Sequence, residues 1–341
     1  MRLFGTSAFI FWRFAARSAA AIVETSSLRR YPRELCAAAS SLFQQDTSAL
    51  PSYDGGEFPH DRASLLDGCA SSDGLLHVEV ENAAARRAAC ADARPCLAHV
   101  RSDRDHSSRW LPAAFGLKVP TPELCFLQLA TQLSFPYVAM AGMELCGTYS
   151  VSPDEEGSLI KRRPLTTCAA LLSFLEKNTS SYGVKKARRA LSFIAGGAAS
   201  PQEARLYLLL SLPVRMGGYG LPPAQLNYRI ETNASGGIDP AKQYRLCDLY
   251  WPDRQIAVEY DSDAFHVGTE KIASDSISRV ALSTRGISVV TVTSAQLRSP
   301  MMTDQLAAAL CRKLEIRKRT CRKDWSRQRE ALRKALFEDC V

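Results

Sequence analysis

Four ionisable side chains crowd a stretch that otherwise alternates like a pair of β-strands. They are Asp248, Glu259, Asp261 and His266, within "RLCDLYWPDRQIAVEYDSDAFH" at 245–266. Side chains two apart on a strand face the same side, so Glu259 and Asp261 share one face, with Val258 and Tyr260 on the other. The short "WPDRQ" connection makes the strand carrying Asp248 an antiparallel neighbour. Two or three carboxylates then gather where strand ends meet. Unpaired, they repel one another and lose hydration. A hard divalent cation relieves both penalties, and carboxylate oxygens are the ligands Mg²⁺ prefers. Bound there, it polarises a phosphoryl oxygen and lowers the pKa of a water. The plainer alternative leaves the acids solvated at strand ends, or paired with Arg245 and Arg254. His266 taken alone reads as a structural or exposed imidazole.

The elements that must carry these residues are legible from residue 200 onward. "SPQEARLYLLLSLP" starts a helix: Ser200 caps it, Pro201 follows and Glu203 lies in the first turn. Strand-like runs follow at 225–231, 244–251 and 255–261. "TEKIASDSISRVALSTRG" reads as a helix ending at Gly286, and "ISVVTVT" (287–293) as a buried strand. The order is α-β-β-β-α-β. A further helix runs through "SAQLRSPMMTDQLAAALCRKLEIRK", and the basic tail after it continues helically.

With acids at these places, that order resembles the PD-(D/E)XK nuclease superfamily, and more narrowly its Vsr-like endonuclease branch. The resemblance rests on "SPQEARL" with Glu203, "CDLYWP" with Asp248 and "VEYDSDAFH" with Glu259, Asp261 and His266. It continues in "DSISRVALSTRG" with Asp275 and Arg279, and in "ISVVTVT", so that it covers about residues 200–297. It implies a restriction-endonuclease-like core that hydrolyses phosphodiester bonds in DNA with Mg²⁺. Asp248 and Glu259 would be the metal ligands, Glu203 would assist from the helix, and His266 would act as acid/base or phosphate contact. Arg279 would touch a phosphate or pair with Asp275 one helical turn back. Two positions depart from the pattern: Asp261 stands where the superfamily usually has lysine, and Ser262 where relatives commonly have glycine.

The chain has 341 residues, more than one core usually takes, so two domains are expected. The N-terminal one, 1–195, reads as mixed α/β or winged-helix-like, with a loop over 46–74 rich in Ser, Asp, Gly and Pro. The nuclease-like domain spans 200–311, and a basic helical tail 312–341. Strands are expected at 75–81 and 94–102. "TPELCFLQLATQLS" starts a helix behind a Thr cap, and "PLTTCAALLSFLEKN" gives another. "GLKVPTPELCFLQLA" resembles the middle of AbiEi-type antitoxin proteins, which implies a non-catalytic DNA-binding regulator as the alternative function. A helper domain packed on the nuclease core is the blander reading.

Net charge is +8, concentrated in two segments. Residues 161–190 carry +7 and residues 312–341 carry +6, on a body that is otherwise slightly acidic. Lys185, Lys186, Arg188 and Arg189 make one helix strongly basic, suited to a phosphate backbone or equally to a solvated face. The eleven cysteines include no CxxC pair. They read as buried free thiols in a reducing, cytoplasmic setting rather than a disulfide or zinc framework. The N-terminal stretch has Arg2, Arg13 and Arg17 and no acid before Glu24, a composition shared with transit peptides. An ordinary helix capped by Thr6 or Ser7 is the expectation. No run reaches the roughly 18 apolar residues of a membrane span.

Overall fold

In a computed structural model of the chain, the described residues are 1–17, 30–44, 62–72, 74–89, 95–100, 107–152, 158–231, 244–261, 282–317 and 324–337. They divide into two compact units, 1–196 and 197–340, at the Gly196–Gly197 pair. Both units combine helices with sheet, so the chain is of mixed α/β class.

The first unit is built on a mixed sheet of order β3-β2-β1-β5-β4. Its strands are β1 (Arg2–Leu3), β2 (Leu76–Val80), β3 (Cys96–Val100), β4 (Trp110–Pro112) and β5 (Lys118–Pro120). The helix α1 (Gly5–Ala15) buries Phe9, Phe11, Trp12 and Phe14. A helix apolar on every side belongs in an interior, and this one has the sheet and other helices around it. Thr6 and Ser7, expected as its cap, lie inside it; Phe4 holds the cap position and its side chain bonds nothing there. The orphan N–H groups of Gly5 and Thr6 donate instead to Gln128 Oε1 (3.1 Å) and Gln132 Oε1 (2.8 Å). Both glutamines come from a helix more than 120 residues away, a capping device invisible to local sequence.

Helices α2 (Tyr31–Gln44) and α3 (Arg62–Gly68) precede β2, and α4 (Ala83–Ala89) lies between β2 and β3. The presence of α3 corrects the expected loop over 46–74: Leu65, Leu66 and Cys69 are buried and hold this short helix down. After β5 come α5 (Pro122–Gln132) and α6 (Phe135–Leu145), separated where Ser134 and Pro136 restart the chain. A hairpin of β6 (Tyr149–Val151) and β7 (Leu159–Lys161) follows, then α7 (Cys168–Lys177) and α8 (Val184–Leu191). Buried Arg162 donates to the carbonyls of Glu144 (2.8 Å) and Gly147 (3.1 Å) and to Ser150 Oγ (2.8 Å), satisfying the C-terminal end of α6.

The second unit starts with α9 (Pro201–Ser211) and a sheet of order β11-β10-β9-β8. The strands are β8 (Gln225–Glu231), β9 (Tyr244–Trp251), β10 (Ile256–Asp261) and β11 (Ser288–Thr293). β8, β9 and β10 are antiparallel neighbours, whereas β10 and β11 run parallel. A parallel pair needs a crossover. Residues 262–281, which contain most of the expected crossover helix, lie outside the described residues; 282–283 are helical, and Gly286 turns the chain with φ +77°.

The single helix expected after β11 is two, α10 (Ser294–Arg298) and α11 (Pro300–Lys313). Ser299 ends one and caps the next, and Pro300 takes the first helical position where its missing N–H does no harm. α12 (Trp325–Phe337) comes from the basic stretch read as a tail, yet it is docked in this unit. Leu332 and Leu336 are buried, and Trp325 Nε1 donates to Gly218 O (3.3 Å). Arg333 donates to Thr303 Oγ1 (3.2 Å) and to the carbonyls of Leu297 (2.9 Å) and Arg298.

Candidate functional site

Glu203 is placed by its own helix start. Ser200 accepts the Glu203 N–H at 3.2 Å and donates its hydroxyl to Glu203 Oε1 at 2.9 Å. This is a relative of the capping box, in which a residue at the third helical position reaches back to the cap. Glu203 Oε2 accepts from Ala199 N–H (2.9 Å) and from Asn227 Nδ2 (2.6 Å), so the buried carboxylate is bonded at both oxygens. Asn227 also donates to Gly197 O at 2.9 Å. It adopts φ +46° in the middle of β8, a left-handed conformation that asparagine tolerates better than other non-glycine residues. No sequence argument singled it out; the signal was an asparagine inside an otherwise strand-forming run.

Asp248 sits beside this assembly. The pairs Leu226↔Leu249 and Tyr228↔Cys247 bracket Asn227 and Asp248, so those two stand opposite each other across β8 and β9. On its other side, β9 pairs with β10 only as far as Leu249↔Val258. One step further on the same register is Glu259, opposite Asp248. There the two strands part, and Asp248 Oδ2 accepts the Tyr260 N–H at 2.6 Å in place of a backbone carbonyl. β10 stays paired with β11 through this region, with Glu259 beside Thr291 and Asp261 beside Thr293. Asn227, Asp248, Glu259 and Thr291 therefore follow one another across four strands, with Glu203 supplied by α9.

The electrostatics follow from that placement. Burial pushes the Asp248 carboxyl up from its ordinary 3.8 to about 7, and the negative charges of Glu203 and Glu259 push the same way against the Tyr260 hydrogen bond. The Cys247 thiol is raised to about 12, first by burial and then by Glu259 and Asp248. The sheet thus concentrates negative charge in a place with limited water. Such a site favours either a proton or a cation.

Of the acids expected to act together, Glu203 and Glu259 are brought into electrostatic reach of Asp248, and Asp261 lies two residues along β10 from Glu259. His266, Asp275 and Arg279 lie outside the described residues. Among the described residues, no group of three or more His, Cys, Asp or Glu side chains is arranged to hold a metal ion. Two carboxylates completed by water and substrate oxygens are a common arrangement for Mg²⁺, which keeps much of its hydration. Asp248 and Glu259 are of the donor type that requirement calls for, and a cation there would offset the burial and the neighbouring negative charges that raise Asp248.

The four basic residues singled out for nucleic acid lie on α8 of the first unit, and three make contacts within it. Lys186 Nζ donates to Leu133 O (2.9 Å) beyond the end of α5, and Arg188 donates to Leu175 O (3.1 Å) in the last turn of α7. Both place a cation at the negative end of a helix dipole. Arg189 lies over the Phe135 ring, 5.4 Å from its centre. Lys185, Arg188 and Arg189 are exposed, whereas Lys186 is half-buried.

Fold and site together describe a two-unit α/β protein with a carboxylate-lined parting between two strands of its second sheet. No family model matches the chain, and no solved structure does. Two relatives from Mycobacterium tuberculosis match it: the uncharacterized protein MT2308 of strain CDC 1551 / Oshkosh and the uncharacterized protein Rv2248 of strain H37Rv. Each is 30% identical to this chain over 133 residues, 39% of this chain and 44% of the relative. The match therefore spans less than half of either relative. Among the described residues no helix is long and apolar enough to cross a membrane.

Proposed function

We propose that the second unit is a Mg²⁺-dependent phosphodiester hydrolase of PD-(D/E)XK type that acts on DNA. The observation that carries this reading is Asp248, a half-buried carboxyl raised to about 7 beside Glu203 and Glu259 at the parting of β9 and β10. Asp248 and Glu259 would hold the ion, which when bound supplies Lewis-acid polarisation of a phosphoryl oxygen. The chain's own groups do the positioning. The Tyr260 amide holds Asp248 at one oxygen, leaving the other for a ligand. Asn227 and Ser200 fix Glu203, which adds negative charge behind the site. His266 would serve proton transfer, Asp261 stands where lysine is usual, and Arg279 with the exposed Lys185 and Arg189 would contact phosphates.

The test is Mg²⁺-dependent nicking or cleavage of plasmid and mismatched duplex DNA by the full chain and by Glu259→Gln. A rate that falls at least ~100-fold in the variant supports the assignment. Equal rates, or none in either protein, count against it. A second reading, a DNA-binding regulator built on the same fold, is favoured by one observation: both Glu203 oxygens are already used in closing the start of α9. It predicts salt-sensitive DNA binding that is unchanged in Asp248→Ala, with no cleavage.

A further inference from the structure

Among the described cysteines, Cys146 and Cys168 are brought together, both within the first unit. Cys146 caps the C-terminal end of α6, and Cys168 is the first residue of α7. Their backbones are drawn together by Leu145 O, which accepts the N–H groups of Leu165 (3.0 Å) and Thr166 (3.2 Å). The turn after α8 closes over both: the Cys168 thiol donates to Ile194 O (3.7 Å), and a Cβ on Gly196 would stand 3.7 Å from the carbonyl oxygen of Cys146. Within this enclosure the two thiols are close enough to shift one another's pKa.

The pair is asymmetric. Cys146 is buried, and Cys168 is half-buried at the start of a helix, where unpaired N–H groups favour a thiolate. The interaction with Cys146 lowers the pKa of Cys168, while the interaction with Cys168, and then burial, raise that of Cys146. In four other described cysteines burial is the largest cause: Cys36 is pushed up to about 12, as Cys247 is, and Cys69 and Cys125 are raised as well. Such thiols are inert under ordinary conditions.

We propose that Cys146 and Cys168 form a redox-active dithiol that reacts with low-molecular-weight disulfides, Cys168 attacking and Cys146 resolving. In the first step the Cys168 thiolate attacks one sulfur of the disulfide RSSR, forming a mixed disulfide and releasing RS⁻. In the second, the Cys146 thiol gives up its proton to a released thiolate and attacks the Cys168 sulfur, forming the internal disulfide and releasing a second thiolate. Counting the proton that Cys168 lost in forming its thiolate, which the second released thiolate takes up from solvent, the dithiol gives up two protons and two electrons, and RSSR is reduced to two RSH. The product ties the end of α6 to the start of α7 and closes the loop that contains the β6–β7 hairpin and Arg162.

The full reduced chain is incubated with glutathione disulfide, quenched in acid, alkylated and digested for mass spectrometry. The expected product is one peptide pair joined through Cys146 and Cys168, about 2 Da lighter than the two free peptides together. In Cys146→Ala the reaction stops with glutathione on Cys168, and in Cys168→Ala the uptake at Cys146 falls at least ~10-fold. Circular dichroism melts check that each variant is folded, and the wild-type map stands without them. The proposal is overturned if both wild-type thiols remain open to alkylation after excess disulfide, or if either joins another cysteine instead.

Discussion

Replacing Asp248 by asparagine should stabilise the second unit at alkaline pH. In the folded chain the carboxyl is raised from 3.8 to about 7. Each pKa unit is worth about 1.4 kcal/mol, so the ionised group opposes folding by at most about 4 kcal/mol above pH 7. Water penetration and relaxation of the parted strands reduce that, and a gain of about 1–3 kcal/mol is expected. The sign follows from proton binding. The folded protein keeps a proton that the unfolded chain releases near its ordinary value, so stability is full below about pH 4, declines from there to about 7, and is lowest above it. Asparagine keeps an acceptor for the Tyr260 N–H and carries no charge. Hydrogen exchange in urea, read on peptides from β9 and β10, separates this unit from the first. The gain should be present at pH 8 and absent near pH 4. A variant less stable than wild type at pH 8, or equally stabilised at both values, would refute the reasoning. Mg²⁺ should stabilise the wild type at pH 8 and leave Asp248→Asn unmoved.

Two further substitutions test the packing that supports the units. Gly5 has φ +50°, and a Cβ there would lie 1.5 Å from Gln132 Oε1, which holds the Thr6 N–H. Gly5→Ala should lower the stability of the first unit by about 2–4 kcal/mol in a thermal melt, and an unchanged melt would show that α1 starts differently. Arg333→Met should cost about 2–4 kcal/mol, because it leaves the Leu297 and Arg298 carbonyls without their charged donor. Limited proteolysis should then cut first on either side of α12, and a wild-type cleavage pattern would mean that this helix is held mainly by Leu332 and Leu336.

The sequence by itself determined what rests on near neighbours. Alternation over 225–231, 244–251 and 255–261 located three strands within a residue, and "SPQE" located the start of α9 together with the Ser200–Glu203 bond. Thr167, likewise, caps α7 as its position before an apolar run suggests. These signals survive because the bonds and side-chain directions involved are set within a few residues. Tertiary structure decided everything that depends on a partner far along the chain. The two-residue β1 exists only through its pairing with β2 and β5, and α3 only through the burial of Leu65 and Leu66. Gln128 and Gln132 close the start of α1, while Lys186 and Arg188, conspicuous as charges, brace the ends of other helices. At the site, Asp248, Glu259 and Asp261 stood out by their spacing, and Glu203 only through the resemblance. Where β9 and β10 part, however, and that Asn227 adopts a left-handed backbone to hold Glu203, are consequences of how four strands and a helix share one space. That shared, poorly hydrated space raises Asp248 to about 7.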